Sequence, residues 1–438
     1  MPSTVQCLHN IAKRKLLKAV RSRPSRVAAL MLAVTSTTGM ITNATAQPLN
    51  VLHWWTSASE RRAADSLMAA LTAQGIGWHD EPIPGGGGGA AIKVLTSRVL
   101  SGEAPDVAQV IGLTLTDWAG LGLVFPLDDV AQRGKWKQVM FPVVLQTVSR
   151  GGRIMAAPLG VHRINTLLYN RHVWDRLRLP APRTWADMEA AARTMRANGI
   201  TPLAWSDDAW QIATVFETVL LAEGGPVLYA RLASAQSWSS WQEPRVTAAL
   251  ERLRWLRDLD TEPTTEQPWT DSARRVFTGK AGMFIMGDWA RGELMAWGAR
   301  PGVDFDCTTV PQTEGMYLYS IDTLAMLVAH NTRRVEQEKL AEIITQPATQ
   351  IAYNQAKGSV PARMDIDPAQ LDECARDSWQ TLSRPGTPIL PSIVHRMAAV
   401  ESTRDALGEV LYRFIRNRSM TPQQAQAQLV TIVRGAAQ

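Results

Sequence analysis

Residues 49–57 read LNVLHWWTS, and this short stretch sets how the rest of the chain is interpreted. Its first residues predict a strand that ends near Trp54, just before a helix predicted to begin at Glu60. Successive strand side chains face opposite ways, so Trp54 and Trp55 cannot both point into one core. One indole is expected in a loop-lined crevice, where its flat face could lie against the C–H face of a sugar ring. An amphipathic core anchor is the other interpretation.

Predicted strands and helices alternate along the remaining chain, which indicates an α/β fold with mainly parallel sheets and helices on both faces. Five consecutive glycines, Gly85–Gly89, precede one of these helices. A phosphate-binding P-loop is excluded because residues 90–93 read AAIK, where Gly-Lys-Ser/Thr is required. The run therefore predicts a loop whose bare backbone approaches a ligand or permits movement, with a plain surface linker as the alternative.

The first residues have the order of a secretory signal peptide. Seven Lys and Arg, with no acidic residue, precede an apolar run from Val27 to Ile41. Ala44-Thr45-Ala46 then supplies small residues for cleavage after Ala46. The apolar run is too short, and too broken by polar residues, to make a convincing membrane span. We expect residues 1–46 to be removed and the mature protein to be exported.

Removing this segment changes the charge balance of the chain. It carries seven of the 46 Lys and Arg and none of the 40 Asp and Glu, which leaves 39 against 40 and a net charge of about −1. No basic patch remains that would indicate nucleic-acid binding. The mature chain keeps Cys307 and Cys374, an even pair that suggests one disulfide in an oxidising compartment, although sequence does not give their distance.

Sequence signatures of enzymes and metal sites are sparse. Gly-x-Ser-x-Gly, His-Glu-x-x-His and Cys-x-x-Cys are absent, and the seven histidines lack metal-ligand spacing. We therefore expect no catalytic residue, metal or cofactor. Asp128-Asp129 and Asp207-Asp208 could imitate a glycosidase carboxylate pair, but adjacency in sequence says nothing about their separation across a sugar bond. An exported carbohydrate-active hydrolase stays an alternative.

Tryptophan is unusually frequent, with 16 Trp against 6 Tyr and 7 Phe. Many of these side chains must lie in the core, but several sit beside polar residues at the ends of predicted elements. Sugar recognition requires this mixture, because indole faces cover the apolar patch of the ring while polar side chains satisfy its hydroxyls. The tryptophans in question are Trp54 and Trp55, Trp210 after Asp207-Asp208, Trp269 before Thr270-Asp271, and Trp289 after Asp288.

At these residues the chain resembles the periplasmic sugar-binding proteins of bacterial ABC importers, the extracellular solute-binding protein family 1, and most closely their glucose/mannose-binding branch. The matching segments run in order from about residue 49 to 396, and ordered matches over that length are more specific than any single motif. They are Trp54–Ser57 with Glu60, Val94–Gly102, Ala104–Gln109, Ala157–Asn165, Gly279–Gly282, Met286–Ala290, Lys357–Pro361 and His395.

The resemblance implies two α/β lobes joined by a hinge, in a type II-like periplasmic-binding-protein fold that encloses a sugar between the lobes. In such proteins the chain crosses between lobes more than once. The first lobe would comprise residues 47–160 and 316–345, and the second residues 161–315 and 346–438. Closure around the ligand would be the signal that the transporter reads.

The resemblance also implies a set of ligand-binding residues contributed by both lobes and the hinge. Two of them have a structural alternative, since Asp288 could instead cap a helix and Lys357 could favour a helix C-terminus. Stacking or bordering surfaces would come from Trp54, Trp55 and Trp269, hydroxyl acceptors from Glu60, Asp288 and Asp322, donors from Lys357 and His395, and contacts of either kind from Gln109 and His162.

The implied function is a non-enzymatic receptor, expected to be monomeric, that delivers a monosaccharide to the membrane permease subunits of an ABC importer. Glucose is the first expectation, and mannose or a related sugar is the next. A chemoreceptor-coupled sugar sensor is a further alternative. Ile111 stands where relatives tend to carry His or Lys, and Leu168 where they tend to carry Trp. One hydrogen-bonding group and one stacking surface are therefore expected to be missing or replaced.

Overall fold

The computed structural model describes residues 47–262, 265–328 and 333–437, so the predicted signal peptide lies outside the described residues. The strands are β1 (Leu49–His53), β2 (Trp78–Pro82), β3 (Val107–Gln109), β4 (Ser149–Arg150), β5 (Arg153–Ile154), β6 (Ala157–Arg163), β7 (Thr166–Asn170), β8 (Thr201–Leu203), β9 (Ala281–Ile285), β10 (Phe305–Thr309), β11 (Tyr317–Met326), β12 (Val360–Pro361) and β13 (Ile389–Pro391).

Helices connect these strands throughout the described chain. They are α1 (Ala58–Thr72), α2 (Gly89–Ser101), α3 (Gly112–Gly120), α4 (Asp128–Arg133), α5 (Trp136–Val139), α6 (Pro142–Val148), α7 (Arg171–Leu177), α8 (Trp185–Ala197), α9 (Ala209–Leu232), α10 (Pro244–Arg257), α11 (Trp269–Phe277), α12 (Trp289–Ala296), α13 (Arg334–Ile344), α14 (Pro347–Lys357), α15 (Glu373–Ser383), α16 (Glu401–Arg416) and α17 (Pro422–Ala436), with short 3₁₀ turns at Gly86–Gly88, Ala235–Gln242 and Pro368–Gln370.

Two sheets organise the molecule. The first has the order β12-β6-β11-β3-β1-β2, with β13 beside β11, and the second has the order β10-β7-β9-β8. The prediction of mainly parallel sheets is wrong in detail, because β11 lies antiparallel to both β3 and β6, and β7 lies antiparallel to both β10 and β9. Strand β11 re-enters the first sheet from the second, and this return sets its direction. The α/β class itself is confirmed.

Helix α1 begins immediately beyond the C-terminal end of β1. Ser57 and Glu60 form a capping box in which the Ser57 hydroxyl accepts from the Glu60 backbone N–H and the Glu60 carboxylate accepts from the Ser57 backbone N–H. Ala63, Leu67 and Leu71 bury the face of the helix that packs on the first sheet. The cap therefore fixes the Glu60 carboxylate beyond the end of β1, close to Trp54, which directly follows that strand.

Helix α9 is the centre of the second core. Among the described residues it is the one helix long and apolar enough to cross a membrane, but 72% of its apolar window is buried inside the protein, as in a core helix. Its regular course is interrupted at Gly225, where φ is 69°, and Pro226 follows. Helices α10 and α16 pack on it, and α17 packs in turn on both of these helices. The helix thus anchors the C-terminal part of the chain to the second sheet.

We call the elements packed on the first sheet the first lobe and those packed on the second sheet the second lobe. The chain passes between them after β6, after β10 and after β13. Helix α14 packs on α1, and β12 pairs with β6, so residues 347–391 lie with the first lobe. The division predicted from sequence differs from this packing, because it places residues 346–438 together in the second lobe. Only the segment after β13 packs with α9 in that lobe.

A disulfide joins Cys307 to Cys374, with their Cα atoms 5.9 Å apart. Cys307 lies on β10 of the second sheet, whereas Cys374 lies on α15, whose neighbours Ala375 and Leu382 are buried in the first core. The bond therefore links the two lobes covalently, in addition to the three passages of the chain.

We expect the double variant Cys307→Ser/Cys374→Ser to fold but to lose about 2–4 kcal/mol of unfolding free energy, because the bond closes a loop of 67 residues. Urea unfolding of residues 47–438 measures the change. A reductant should lower the midpoint of the wild type and leave that of the variant unchanged. Equal midpoints for the oxidised wild type and the variant would contradict this assignment.

Candidate functional site

A cleft lies between the two lobes. Its walls combine indole rings with charged and hydrogen-bonding side chains, and both lobes contribute to them. The lining residues are Trp54, Thr56, Glu60, Gly85, Gly87, Ile111, His162, Trp210, Trp269, Trp289, Ser320, Asp322, Lys357 and His395.

Most of the side chains predicted from sequence meet at this cleft. Seven of the ten line its walls, and the remaining three, Trp55, Gln109 and Asp288, lie behind them. The seven are Trp54, Glu60, His162, Trp269, Asp322, Lys357 and His395.

Trp55 is the clearest departure from the sequence-based expectation. Its side chain is fully buried in the first core, with its ring stacked on His53 at 4.7 Å between centroids and 5.6 Å from Tyr353. The alternating directions of an extended chain explain this, because Trp54 takes the cleft side and its neighbour takes the core side. Only Trp54 of the doublet can therefore contact a ligand at this cleft.

His162 connects two carboxylates at the junction of the lobes. Its Nδ1 lies 2.6 Å from Asp288 Oδ1, and its Nε2 lies 3.3 Å from Asp322 Oδ2. Burial by itself lowers the pKa of His162, but the charges of and hydrogen bonds to Asp288 and Asp322 outweigh it and raise the pKa above 6.5. The imidazolium donates from both nitrogens, and it lowers the pKa of Asp322 to about 2 in spite of burial.

Asp322 owes its position to an irregularity in β11. The register of β11 against β6 shifts between Asp322 and Thr323, and a bulge of this kind redirects side chains. Behind the cleft wall, Gln109 Nε2 donates to Asp322 Oδ1 at 3.2 Å and Tyr353 Oη donates to Oδ2 at 3.1 Å. Gln109 is fully buried and also accepts from the Trp54 backbone N–H at 3.3 Å. It therefore orients wall residues instead of lining the cleft.

Asp288 occupies the N-cap position of α12 without acting as a cap. Its side chain makes no capping hydrogen bond to the helix. One carboxylate oxygen is taken by His162, and the other accepts from the Arg163 backbone N–H at 2.9 Å. Asp288 was predicted either to accept hydrogen bonds from ligand hydroxyls or to cap the helix. Its observed contacts do neither, and they hold His162 in place.

Lys357 and Glu60 form a buried ion pair in the first-lobe wall, with 3.2 Å between Nζ and Oε1. Burial lowers the pKa of Lys357, but the neighbouring Glu60 and Asp322 charges more than compensate and raise it above its ordinary value. Lys357 also ends α14, where Gly358 adopts a φ of 92° as the C-cap. The helix end thus delivers a permanently charged ammonium, with three donor hydrogens, to the cleft.

His395 reaches the cleft from the segment that follows β13. Its Nε2 lies 3.2 Å from Thr214 Oγ1, so the hydroxyl fixes the ring. Burial, with the nearby positive charges of Arg396 and Arg404, lowers the pKa of His395 to about 3. A neutral imidazole, which can donate and accept, is therefore present throughout the physiological range.

Glu217 on α9 holds the segment that carries His395. Its carboxylate accepts from Ser392 Oγ at 2.7 Å and from the backbone N–H groups of Ile393 and Val394 at 3.0 and 3.2 Å. Burial raises the pKa of Glu217 to about 7, although these donors oppose the shift. The sequence analysis did not select Glu217, and an acidic residue inside an otherwise apolar helical run was the available signal.

Two indoles in the cleft were not assigned to the site from sequence. Trp289 meets His162 and His395 edge-on, at centroid distances of 5.4 and 5.3 Å, and lies 6.4 Å from Trp210. Both tryptophans lie in the first turn of a helix, α12 and α9 respectively, one or two residues after an aspartate at the N-cap position. That pattern was noted in the sequence, but only Trp269, which begins α11, was chosen as a stacking surface.

The two positions where the chain departs from its relatives have different surroundings. Ile111 lines the cleft, so an apolar side chain occupies wall where a hydrogen-bonding one was expected. Leu168 is fully buried in β7, paired with Cys307 and Phe284, and does not contribute to the wall. Stacking surface in this cleft comes from Trp54, Trp210, Trp269 and Trp289 instead.

The charges of the site are paired with one another. Lys357 faces Glu60, and His162 is shared between Asp288 and Asp322. The cleft therefore presents flat apolar faces and polarised donors and acceptors. This combination suits a neutral, ring-shaped solute with several hydroxyl groups.

Replacement of the bridging imidazole should change the pH dependence of stability. Because the folded-state pKa of His162 is raised, its contribution is complete below pH 6.5 and disappears as the pH rises through the higher folded value. We expect His162→Gln to lose about 3 kcal/mol at pH 6, since two buried carboxylates then lack their cation. The deficit should shrink as the pH rises through the folded-state pKa of His162.

Thermal unfolding of both proteins without ligand, from pH 5 to 9, measures this difference. His172→Gln is the matched control, because His172 is 67% exposed and its only carboxylate contact in the described chain is with Asp304 at the surface. Parallel stability curves for the wild type and His162→Gln would refute the charge assignment.

Comparison with known proteins identifies relatives of the whole described chain. Residues 57–351 match the family described as bacterial extracellular solute-binding protein. A probable sugar-binding periplasmic protein of Rhizobium meliloti (strain 1021) is 34% identical over 413 residues, covering 94% of this chain and 98% of that protein. A protein of the same description from Brucella suis biovar 1 (strain 1330) is 33% identical over 393 residues, covering 89% and 93%.

Solved structures share the same fold. The crystal structure of the bacterial solute receptor AcbH, described as having an exclusive preference for β-D-galactopyranose, superimposes with a TM-score of 0.76 at 18% identity, covering 89% of this chain and 98% of that one. At this identity the likeness concerns the two-domain fold alone. The related proteins are solute-binding receptors and not enzymes.

Proposed function

The chain belongs to the bacterial extracellular solute-binding protein family, and we propose that it captures a monosaccharide between its lobes and delivers it to the permease of an ABC importer. Within the family it acts as a receptor, which removes the hydrolase alternative. The monosaccharide ligand rests on one observation above all, the composition of the cleft between the lobes.

Indoles approach the cleft from both lobes. Trp54 comes from the first lobe, while Trp210, Trp269 and Trp289 come from the second. A pyranose ring has apolar C–H faces above and below its equatorial hydroxyls, so it is matched by aromatic faces on two sides.

Paired charges make the polar groups suitable for hydroxyls. An anionic solute would require an uncompensated cation in the wall, but Lys357 pairs with Glu60, and His162 lies between two aspartates. Charge-assisted hydrogen bonds from Lys357 and to Asp322 remain available to neutral hydroxyl groups, and such bonds are the stronger ones. These features support a neutral sugar as the ligand.

We propose glucose as the first candidate, with mannose and galactose as alternatives. The galactose preference of AcbH is consistent with a monosaccharide in a receptor of this fold. Ile111 in the wall removes one hydrogen-bonding position expected of the branch. It is therefore the residue that we expect to shift preference among epimers of the same hexose.

The remaining features of the proposal follow from the same assignment. The chain is exported by its first 46 residues, acts as a monomer in the periplasm, and signals binding to the permease by closing its lobes. We propose residues 47–163 with 317–391 as the first lobe and residues 164–316 with 392–438 as the second, which follows the packing of the two sheets.

Calorimetry with D-glucose, D-mannose, D-galactose, D-xylose and maltose should give saturable binding of one monosaccharide at one site per chain, with a change in tryptophan fluorescence and no product. His395→Leu should weaken that binding by about 10- to 100-fold, because a sugar hydroxyl then loses its buried partner. The unfolding temperature should change little.

His79→Leu is the matched control, since His79 is exposed on edge strand β2. It should bind as the wild type does. Unaltered affinity of His395→Leu would remove His395 from the site. A flat response of the wild type to all five sugars would overturn the proposed ligand class.

A further inference from the structure

The glycine run borders one edge of the cleft. Gly85 and Gly87 line the cleft, and Gly87 and Gly88 have φ angles of 66° and 73°, a conformation that favours glycine. A Cβ atom on Gly88 would lie 2.8 Å from the ring of Trp54. The loop therefore lies close against a cleft indole and needs its bare backbone to do so.

Two arginines of the second lobe bind this first-lobe loop. The Gly87 carbonyl accepts a hydrogen bond from Arg396 Nη1 and a second one from Arg404 Nη1 at 3.3 Å. Arg396 follows the segment clamped by Glu217, and Arg404 lies on α16. The contacts thus bridge the opening between the lobes at the edge of the cleft.

Glu401 orients both guanidinium groups. Its carboxylate accepts from Arg396 Nε, from Arg396 Nη2 at 3.0 Å and from Arg404 Nη2 at 2.9 Å. Burial acts to raise the pKa of Glu401, but the two arginines lower it below its ordinary value. None of the three side chains lines the cleft, so any effect on a ligand passes through the glycine loop.

The backbone of Arg396 makes a further contact with the first lobe. Arg396 adopts a φ of 65°, which is uncommon for a residue with a side chain. Its carbonyl accepts from the Leu113 N–H at 2.8 Å, and a Cβ on Gly112 would lie 2.1 Å from that oxygen. A strained, 1% exposed arginine that reaches the opposite lobe through both its carbonyl and its side chain is typical of a functional position.

We propose that Arg396 and Arg404, oriented by Glu401, are positioning residues that latch the glycine loop across the cleft and thereby set the rate at which the bound solute leaves. This inference rests on the proposed function for its ligand, but the latch itself consists of contacts between protein groups. It assigns the glycine run a specific role, which is to offer the Gly87 carbonyl as the acceptor for both arginines.

The latch acts on one direction of the binding reaction. A solute enters the open form, in which the lobes are apart and the Gly87 contacts are not made. It leaves only after these contacts break, so they stabilise the closed complex without hindering entry. Loss of a latch arginine should therefore accelerate dissociation and leave association nearly unchanged.

Arg404→Gln is the decisive variant, because Arg396 is buried and its replacement endangers folding. We expect about a tenfold faster dissociation of the tightest-binding sugar among D-glucose, D-mannose, D-galactose and D-xylose, with the association rate within twofold of the wild type, measured by stopped-flow tryptophan fluorescence. Glu401→Gln should act in the same direction. Arg413→Gln on the same helix, where Arg413 is 52% exposed, is the matched control and should have no effect.

A second measurement needs no sugar. Whenever the lobes of the ligand-free protein close, the Gly87 contacts form and protect the glycine loop, so hydrogen exchange at residues 85–92 should be faster in Arg404→Gln than in the wild type or Arg413→Gln. Unchanged exchange at this loop, or an unchanged dissociation rate in both latch variants, would overturn the latch. A wild type that binds none of the four sugars would overturn the proposed ligand class instead, and the exchange measurement would still decide on the latch.

Discussion

The buried bridge from Asp288 through His162 to Asp322 is the interaction on which the arrangement of the cleft depends. It joins the start of α12, the end of β6 and the bulge in β11, at the place where the chain first leaves one sheet for the other. Separating such a buried charge pair costs about 3–5 kcal/mol. The bridge therefore fixes the relative positions of the strands and helices that present the remaining wall residues.

Paired burial also explains why the site can be polar and still be enclosed. Isolated charges would be expensive to withdraw from water, so each cation in the wall is matched by a carboxylate before any ligand arrives. A ligand without charge then adds hydrogen bonds without disturbing this balance. The same arrangement disfavours an anionic competitor, because each cation of the wall already has a carboxylate partner.

Much of this arrangement could be predicted from the sequence. The family and the α/β class are confirmed. Both were predictable because ordered motifs and the alternation of strands and helices extend along nearly the whole chain. The directions of the sheets were not predictable, since the return of β11 is a property of topology and not of local pattern.

Individual side chains were harder to predict than the fold. Burial distinguishes Trp54 from Trp55, but the sequence says only that the two face opposite ways. Asp288 and Gln109 lie behind the wall and support its residues. A sequence motif does not distinguish such supporting residues from those that line the cleft. Glu217 escaped notice because the segment that it holds, beginning at Ser392, lies about 175 residues away in the chain.

The Cys307–Cys374 bond bears on how broad the open ensemble can be. Three chain passages would allow the lobes to twist and slide as well as separate, whereas a fourth tether, at a different point of the interface, removes some of those motions. A narrower ensemble loses less conformational entropy when the lobes close. Formation of the disulfide therefore removes part of the conformational entropy that lobe closure would otherwise lose, and it does so before any ligand binds.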